Sequence, residues 1–307
     1  MRVFDAAATA AGLPYPALID AIEAAFAAGG TAPLRHHHRM TRPGEPDATL
    51  LLMPAWGAEF GGVKVVNATP GAAARGLPAI AASYLLFDAA TGAHLALIDG
   101  ATLTARRTAA ASALAARLLA AAEARRLLVV GAGRVAQELP AAHAAAWPAE
   151  AVAVWSRRPE AARALAARWR AEGREARAVE DLEAAVRAAD VISCATLSSA
   201  PLIRGAWLRG GQHLDLIGAF TPAMREADDA AAARARVYAD SDAALVEAGE
   251  LASPVAAGVL DPASVRFFRD ICSRGPVARA PGDVTLFKSV GHAVEDLAAA
   301  RLIWRGA

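Results

Sequence analysis

Lysine is nearly absent from this chain: of its 32 basic residues only Lys64 and Lys288 are lysines, and arginine supplies the other 30. Where almost every cation is written as arginine, a lysine that persists marks a place needing a compact, rotatable ammonium rather than a planar fork. Cysteine is as scarce. Cys194 and Cys272 are too few for a disulfide framework and have no C-x-x-C partner, so both read as buried, inert thiols. Neither sign of charge dominates, and a net charge of +1 gives no electrostatic case for a nucleic-acid partner. No apolar run approaches a membrane span, and the opening MRVFDAAATAAGLPYP lacks the basic start and long apolar core of a signal peptide. We therefore expect no membrane partner and a cytoplasmic location. What remains, 307 residues at 55% hydrophobic and 21% charged, is a globular chain with ample core for one large or two ordinary domains.

The most organised stretch is LLVVGAGRVAQ, Leu127 to Gln137. Four apolar residues read as a buried parallel strand. Gly131, Gly133 and Ala136 follow in the spacing G-x-G-x-x-A, which turns the backbone tightly, lets it approach a pyrophosphate and starts a helix packed close to the strand. The unpaired N–H groups and positive dipole end of that helix favour phosphate. A second apolar strand, AVAVW, begins at Ala151, about 20 residues on, and ends in Ser156, Arg157 and Arg158. An acidic residue there would suit the ribose hydroxyl of NAD; a hydroxyl followed by two guanidinium groups suits the 2′-phosphate of NADP(H).

Before this region, Pro14 to Ala28 carries helical periodicity and stops at Gly29-Gly30. Three histidines follow in an extended segment, where His36 and His38 point one way and His37 the other; without cysteine or an H-x-x-x-H pair nearby they are read as no metal site. ATLLLMPAW, GGVKVVNATP and the two halves of SYLLFDAATGAHLALID read as strands of an antiparallel, sheet-rich module. Lys64 lies inside one of them, so its ammonium must face a cavity, an anion or an acidic partner. In the next helix, DGATLTARRTAAASALAARLLA, Thr104, Arg107 and Thr108 share one face of the first turns and make a carboxylate or phosphate site, whereas Arg106 points elsewhere.

From Arg126 onward strands alternate with helices in the βαβ manner of a parallel sheet. Ligands bind outside the carboxyl ends of such strands, at Thr196 and Leu197 and at Gly218 to Thr221. The tail VTLFKSVGHAVEDLAAARLIW, with its strand-then-helix start, is expected to return to the first module. The fold class is thus α/β: a Rossmann-type, doubly wound parallel sheet over 119–283, plus a sheet-rich α+β substrate and dimerisation domain made of 1–118 with 284–307.

Nearly the whole chain resembles the ornithine cyclodeaminase/μ-crystallin family. The resemblance rests, in order, on MPAW, VKVVNATPGAAARGLP, LLFDAATGAHLALIDGATLTARRTAAASA, VVGAGRVAQ, ADVISCATLSSAPLI, HLDLIGAFTPAMREAD and FKSVGHAVEDLAAARLIW. It implies a homodimer formed through the sheet-rich domain, with Arg35, Lys64 and Arg107 around a substrate carboxylate. It also implies a nicotinamide cofactor lined by Thr108, Gly131, Gly133, Arg134, Val135, Ala136, Gln137, Ser156, Arg157, Arg158, Thr196, Leu197 and Ser289. Arg35 and Ser289 enter through the resemblance alone. Cyclodeaminases of the family place an aspartate where this chain has Phe220, and GAFTPAMREAD is similar to the family's Δ1-pyrroline-2-carboxylate reductases.

The expected activity is therefore NADPH-dependent reduction (NADH being the other cofactor to test) of the cyclic imino acid Δ1-pyrroline-2-carboxylate, and of Δ1-piperideine-2-carboxylate, to L-proline and L-pipecolate. Lys64 and Arg107, helped by Arg35, pin the carboxylate so that C2 lies over the nicotinamide; Phe220 offers apolar surface to the ring. Lys64 and bulk water are the candidates for keeping the ring nitrogen protonated. The alternatives are an NAD-dependent cyclodeaminase or alanine-dehydrogenase-like enzyme, and a non-enzymatic binding protein of the μ-crystallin kind.

Overall fold

The computed structural model describes residues 1–307, Ala73 by its backbone alone. The chain divides into two compact units, Met1–Arg107 with His292–Ala307, and Thr108–Gly291.

The first unit is built on a six-stranded sheet. Its strands are β1 (Arg2–Phe4), β2 (His36–Met40), β3 (Ala48–Trp56), β4 (Phe60–Ala68), β5 (Ile80–Asp88) and β6 (His94–Asp99), in the spatial order β1-β6-β5-β4-β3-β2. All neighbours are antiparallel except β1, which runs parallel to β6. The β5–β6 turn is held by Asp88, whose Oδ1 accepts from the backbone N–H groups of Ala90 and Thr91 and from the Thr91 hydroxyl, while Gly92 supplies the positive φ that closes it. Helices α1 (Ala6–Ala11) and α2 (Tyr15–Ala28) precede the main strands. α2 buries Leu18, Ile19, Ile22 and Phe26 and packs on the C-terminal helix, Ala293–Arg305, which lies against β3, β4 and β5. Alternation along the strands sends Leu51, Met53, Lys64, Val66, Tyr84 and Leu86 to this covered face. The opposite face presents Leu50, Leu52, Val63, Val65 and Leu85, half-buried, and Leu97, exposed.

Helix α3 (Gly100–Leu119) contributes Arg107 to the first unit and continues into the second, whose eight-stranded sheet is parallel throughout. Its strands are β7 (Arg126–Val130), β8 (Ala151–Trp155), β9 (Glu175–Ala178), β10 (Val191–Cys194), β11 (His213–Leu216), β12 (Ala235–Ala239), β13 (Arg266–Phe267) and β14 (Val284–Lys288), ordered β13-β12-β14-β11-β10-β7-β8-β9. The strand order reverses at β7, which lies between β8 and β10, the topological switch point at which doubly wound sheets bind nucleotides. α4 (Arg134–Ala146) follows β7 and α5 (Pro159–Ala171) follows β8.

One expectation is corrected here. Val284–Lys288 does not return to the first unit: it is β14, paired with β11 and β12, and all five of its residues are buried. A strand covered on both faces shows no alternation, so VTLFK carries no sign of which sheet it joins. The chain re-enters the first unit at His292 instead of residue 284, and leaves it after Arg107 instead of residue 118. Cys194 and Cys272 are both buried and neither forms a disulfide, and burial pushes the Cys194 thiol well above its ordinary value. Among the described residues no helix is long and apolar enough to cross a membrane.

Candidate functional site

Both lysines of the chain are completely buried, each beside a carboxylate: Lys64 with Asp296, and Lys288 with Glu250. The first of these pairs is the centre of a charged cluster in the first unit. Lys64 projects from β4 to the covered face of the sheet, and its ammonium lies 2.9 and 2.8 Å from the two oxygens of Asp296. Arg107, 4% exposed, donates through Nε to Asp296 at 2.9 Å and through Nη1 to Glu295 at 2.6 Å. Glu295 and Asp296 occupy the first turn of the C-terminal helix, where the helix dipole favours negative charge. Arg35, half-buried just before β2, is close enough for its charge to be felt at Lys64.

Burial, then the neighbouring Arg107 charge, pushes Lys64 down to about 8 against the opposing pull of Asp296. Burial works against the Asp296 charge as well, but Arg107 and Lys64 outweigh it and hold that carboxyl below its ordinary value. Lys64 and Arg107, two buried cations, share the Asp296 carboxylate, and the charge of Arg35 is felt beside them. In so dry a place two cations side by side favour an anion over a neutral ligand. The structure thus brings together the three predicted carboxylate contacts and adds the acidic pair that sequence reasoning missed. The signal for it was Glu295-Asp296 in an otherwise apolar helix start. Arg106, by contrast, donates to the Leu13 carbonyl and stacks over Tyr15, a structural role.

The second unit carries the predicted cofactor residues. Gly131 has φ +120°, and a Cβ there would lie 2.6 Å from the Ala195 carbonyl oxygen, so no other residue fits this turn. Gly133 is the N-cap of α4 with no side-chain cap, and a Cβ on it would meet nothing within 4 Å, leaving room over the helix N-terminus. Arg134 is exposed, Val135 half-buried, and Ala136 fully buried against the strand. These features fit a pyrophosphate. Ser156, Arg157 and Arg158 follow β8 with no acidic residue among them; among the described residues neither arginine is ion-paired, whereas nearby Arg163 and Arg168 bind Glu180 and Glu172. Gln137 is turned elsewhere, its carboxamide oxygen accepting from Arg168 at 2.9 Å. Thr108 is buried on α3, the first residue of this unit.

At the carboxyl ends of β10 and β11 a buried carboxylate, also missed from sequence, ties two loops together. Glu226 accepts from the Thr196 N–H and hydroxyl at 2.6 and 2.7 Å through one oxygen and from the Gly218 N–H at 2.8 Å through the other. Burial raises its pKa to about 7 although Lys288 pulls it back. Leu197 is 67% exposed next to it, and Phe220 is half-buried in the loop after β11. Ser289 is buried, with its hydroxyl donated to Asp240 at 2.8 Å.

Ser112, His143 and Asp215 are also in contact in this unit, but their polarity is wrong for a nucleophilic triad. The Trp147 indole N–H donates to His143 Nδ1 at 2.8 Å, so Nε2 holds the proton and donates to Ser112, which in turn donates to Asp215. Burial lowers His143 to about 3, and the imidazole cannot act as the base that a serine nucleophile needs.

The chain is 42% identical over 267 residues to a Delta(1)-pyrroline-2-carboxylate reductase of Paracoccus denitrificans, covering 85% of this chain and 84% of that one. Its structure superposes with a TM-score of 0.92, at 29% identity and over 99% of this chain and 97% of the other, on the Thermococcus litoralis Delta(1)-pyrroline-2-carboxylate reductase in complex with NADH and L-proline. An archaeal alanine dehydrogenase dimer with bound NAD matches with a TM-score of 0.91, 26% identity, and coverage of 100% and 96%. The model of the ornithine cyclodeaminase/mu-crystallin family matches residues 5–307, and the chain belongs to that family.

Proposed function

We propose that this protein is an NADPH-dependent reductase of cyclic imino acids, converting Δ1-pyrroline-2-carboxylate to L-proline and accepting Δ1-piperideine-2-carboxylate. The observation that carries the reading is the juxtaposition of two buried cations of different shape, the Lys64 ammonium and the Arg107 guanidinium, which suits a small monocarboxylate. When bound, NADPH supplies the hydride that adds to C2 of the protonated imine. The chain's own work is to place the substrate. Arg107 offers a two-pronged guanidinium and Lys64 a point charge, and both hold the carboxylate in a site too dry for water to compete. Lys64, at about 8, also holds a proton that it can share near neutral pH. Glu226 keeps Thr196 and Gly218 in fixed positions at the strand ends where the nicotinamide would lie. Phe220 can neither accept a proton nor hold a second ammonium, which supports imine reduction over deaminating cyclisation of a diamino acid.

The same reading extends to assembly. The half-buried apolar face of the first unit's sheet, with Leu52, Val65 and Leu85 at its centre, supports a homodimer in which a second copy covers it.

The test is to follow NADPH and NADH oxidation with pyrroline, piperideine and linear α-imino acids. A charge-assisted hydrogen bond to the 2′-phosphate is worth about 1.5–3 kcal/mol, so NADPH is expected to exceed NADH in kcat/KM by about ten- to a hundredfold. Neutralising Arg157 and Arg158 together narrows that gap. Equal use of both cofactors by the native protein removes the NADPH assignment; formation of proline from L-ornithine and NAD at a rate comparable to imine reduction removes the reductase reading.

A further inference from the structure

Tyr84 is fully buried, and its hydroxyl has no hydrogen-bond partner among the described residues. The chain has made room for this ring. Tyr84 stands opposite Lys64 in the β4–β5 register and leans toward Gly62, where a Cβ would lie 2.3 Å from the phenol oxygen and 2.6 Å from ring carbons. Its neighbour Gly61 does the same for Phe87 on the other face of the sheet, with a would-be Cβ at 2.3 Å from that ring. The Gly61-Gly62 pair in β4 is therefore explained by two aromatic side chains of β5, and only one of them carries an oxygen.

Core packing alone does not call for that oxygen. Phenylalanine fills the same volume, whereas a buried hydroxyl left unmatched loses its hydration for nothing in return. The Asp296 charge is felt at this oxygen and, after burial, adds to the upward shift of the phenol's pKa, so the group stays a neutral O–H. Lys64, Arg107 and Tyr84 thus direct three kinds of donor into one buried cluster: an ammonium, a guanidinium and a phenol.

We infer that Tyr84 is a substrate-binding residue, its hydroxyl donating to the carboxylate of the cyclic imino acid alongside Lys64 and Arg107. This rests on the substrate assignment proposed above. A carboxylate has lone pairs enough for three donors, and a neutral donor adds directionality without adding charge. The ring nitrogen, an N–H donor when protonated, is no partner for a phenol hydrogen; Asp296 is the acceptor within the cluster.

The experiment is Tyr84→Phe in the full-length protein, compared with Lys64→Met. Loss of one neutral-donor hydrogen bond to an anion is expected to raise KM for Δ1-pyrroline-2-carboxylate about tenfold and to weaken inhibition by pyrrole-2-carboxylate, an unreactive planar analogue, by the same factor. kcat is expected to stay within about twofold, and the KM for NADPH to be unchanged. The thermal midpoint should hold or rise, because the variant removes an unmatched buried hydroxyl; a purely structural tyrosine would lower it and leave KM alone. Native KM and inhibition in Tyr84→Phe, with turnover lost in Lys64→Met, overturns the inference and returns Tyr84 to the core. A fall in kcat at constant KM overturns the carboxylate assignment. Native turnover in Lys64→Met sinks the underlying substrate reading instead.

Discussion

Lys64→Met is expected to lower kcat/KM for the cyclic imino acid by about 100-fold or more, since a charged hydrogen bond to the substrate in a buried site is worth about 3 kcal/mol. Methionine keeps the length and apolar stem of the side chain, and Arg107 stays hydrogen-bonded to Glu295 and Asp296, so the first unit keeps its packing. The pH profile carries the sharper signature. Lys64 titrates at about 8 in the folded chain, having been pushed down from 10.5 by burial and by Arg107. Below that pH Lys64 is an ammonium and attracts a carboxylate; above it that charge is gone. kcat/KM of the native protein should therefore fall as pH rises through about 8, and Lys64→Met should lack that limb. Substrate binding places an anion beside the ammonium and raises its pKa, so the limb in kcat should lie at higher pH than the limb in kcat/KM. A Lys64→Met protein with the same alkaline limb as the native one would assign the titration to another group.

Much of this was legible in sequence because the signals are local. The G-x-G-x-x-A turn, the arginines closing β8, and the shared face of Thr104, Arg107 and Thr108 are fixed by residues within a few positions of one another. The scarcity of lysine was informative in the same way: two ammonium groups retained in an arginine-rich chain proved to be two buried ion pairs, Lys64 with Asp296 and Lys288 with Glu250. What stayed hidden depends on pairing across the chain. Asp296 lies 232 residues from Lys64 and 189 from Arg107, and no periodicity relates them. Glu226 reads as one more charge in MREAD until the strand order brings the β10 and β11 loops to either side of it. The assignment of VTLFK failed for a related reason: a strand buried on both faces has no polar side to show where it belongs. Arg35 and Ser289 would not have been singled out without the family resemblance, the first because it is one of 30 arginines, the second because the partner of its hydroxyl, Asp240, lies 49 residues away.

The counter-charge sets the largest expected effect on stability. Asp296→Ala removes the carboxylate that both Lys64 and Arg107 contact and leaves two buried cations with Glu295 alone. Breaking a buried pair from one side costs about 3–5 kcal/mol, because the remaining charge keeps its desolvation penalty and loses its partner. Lys64→Met is expected to cost less, since Asp296 keeps its bond from Arg107. The double variant Lys64→Met/Asp296→Ala should be more stable than the sum of the single losses implies, with Arg107 and Glu295 left as a matched pair. pH separates this from simple loss of volume. In Asp296→Ala the upward pull on the Lys64 pKa is gone, so it falls below its native value of about 8 while the unfolded chain still binds that proton up to about 10.5. Over that interval the unfolded state holds more protons, and the stability of Asp296→Ala should rise with pH, by more than that of the native protein and not at all from this group in the double variant. Denaturant melts of the four proteins at pH 7 and pH 9 measure each of these differences; strictly additive losses, or a loss in Asp296→Ala that does not respond to pH, would show that the carboxylate serves packing and not charge balance.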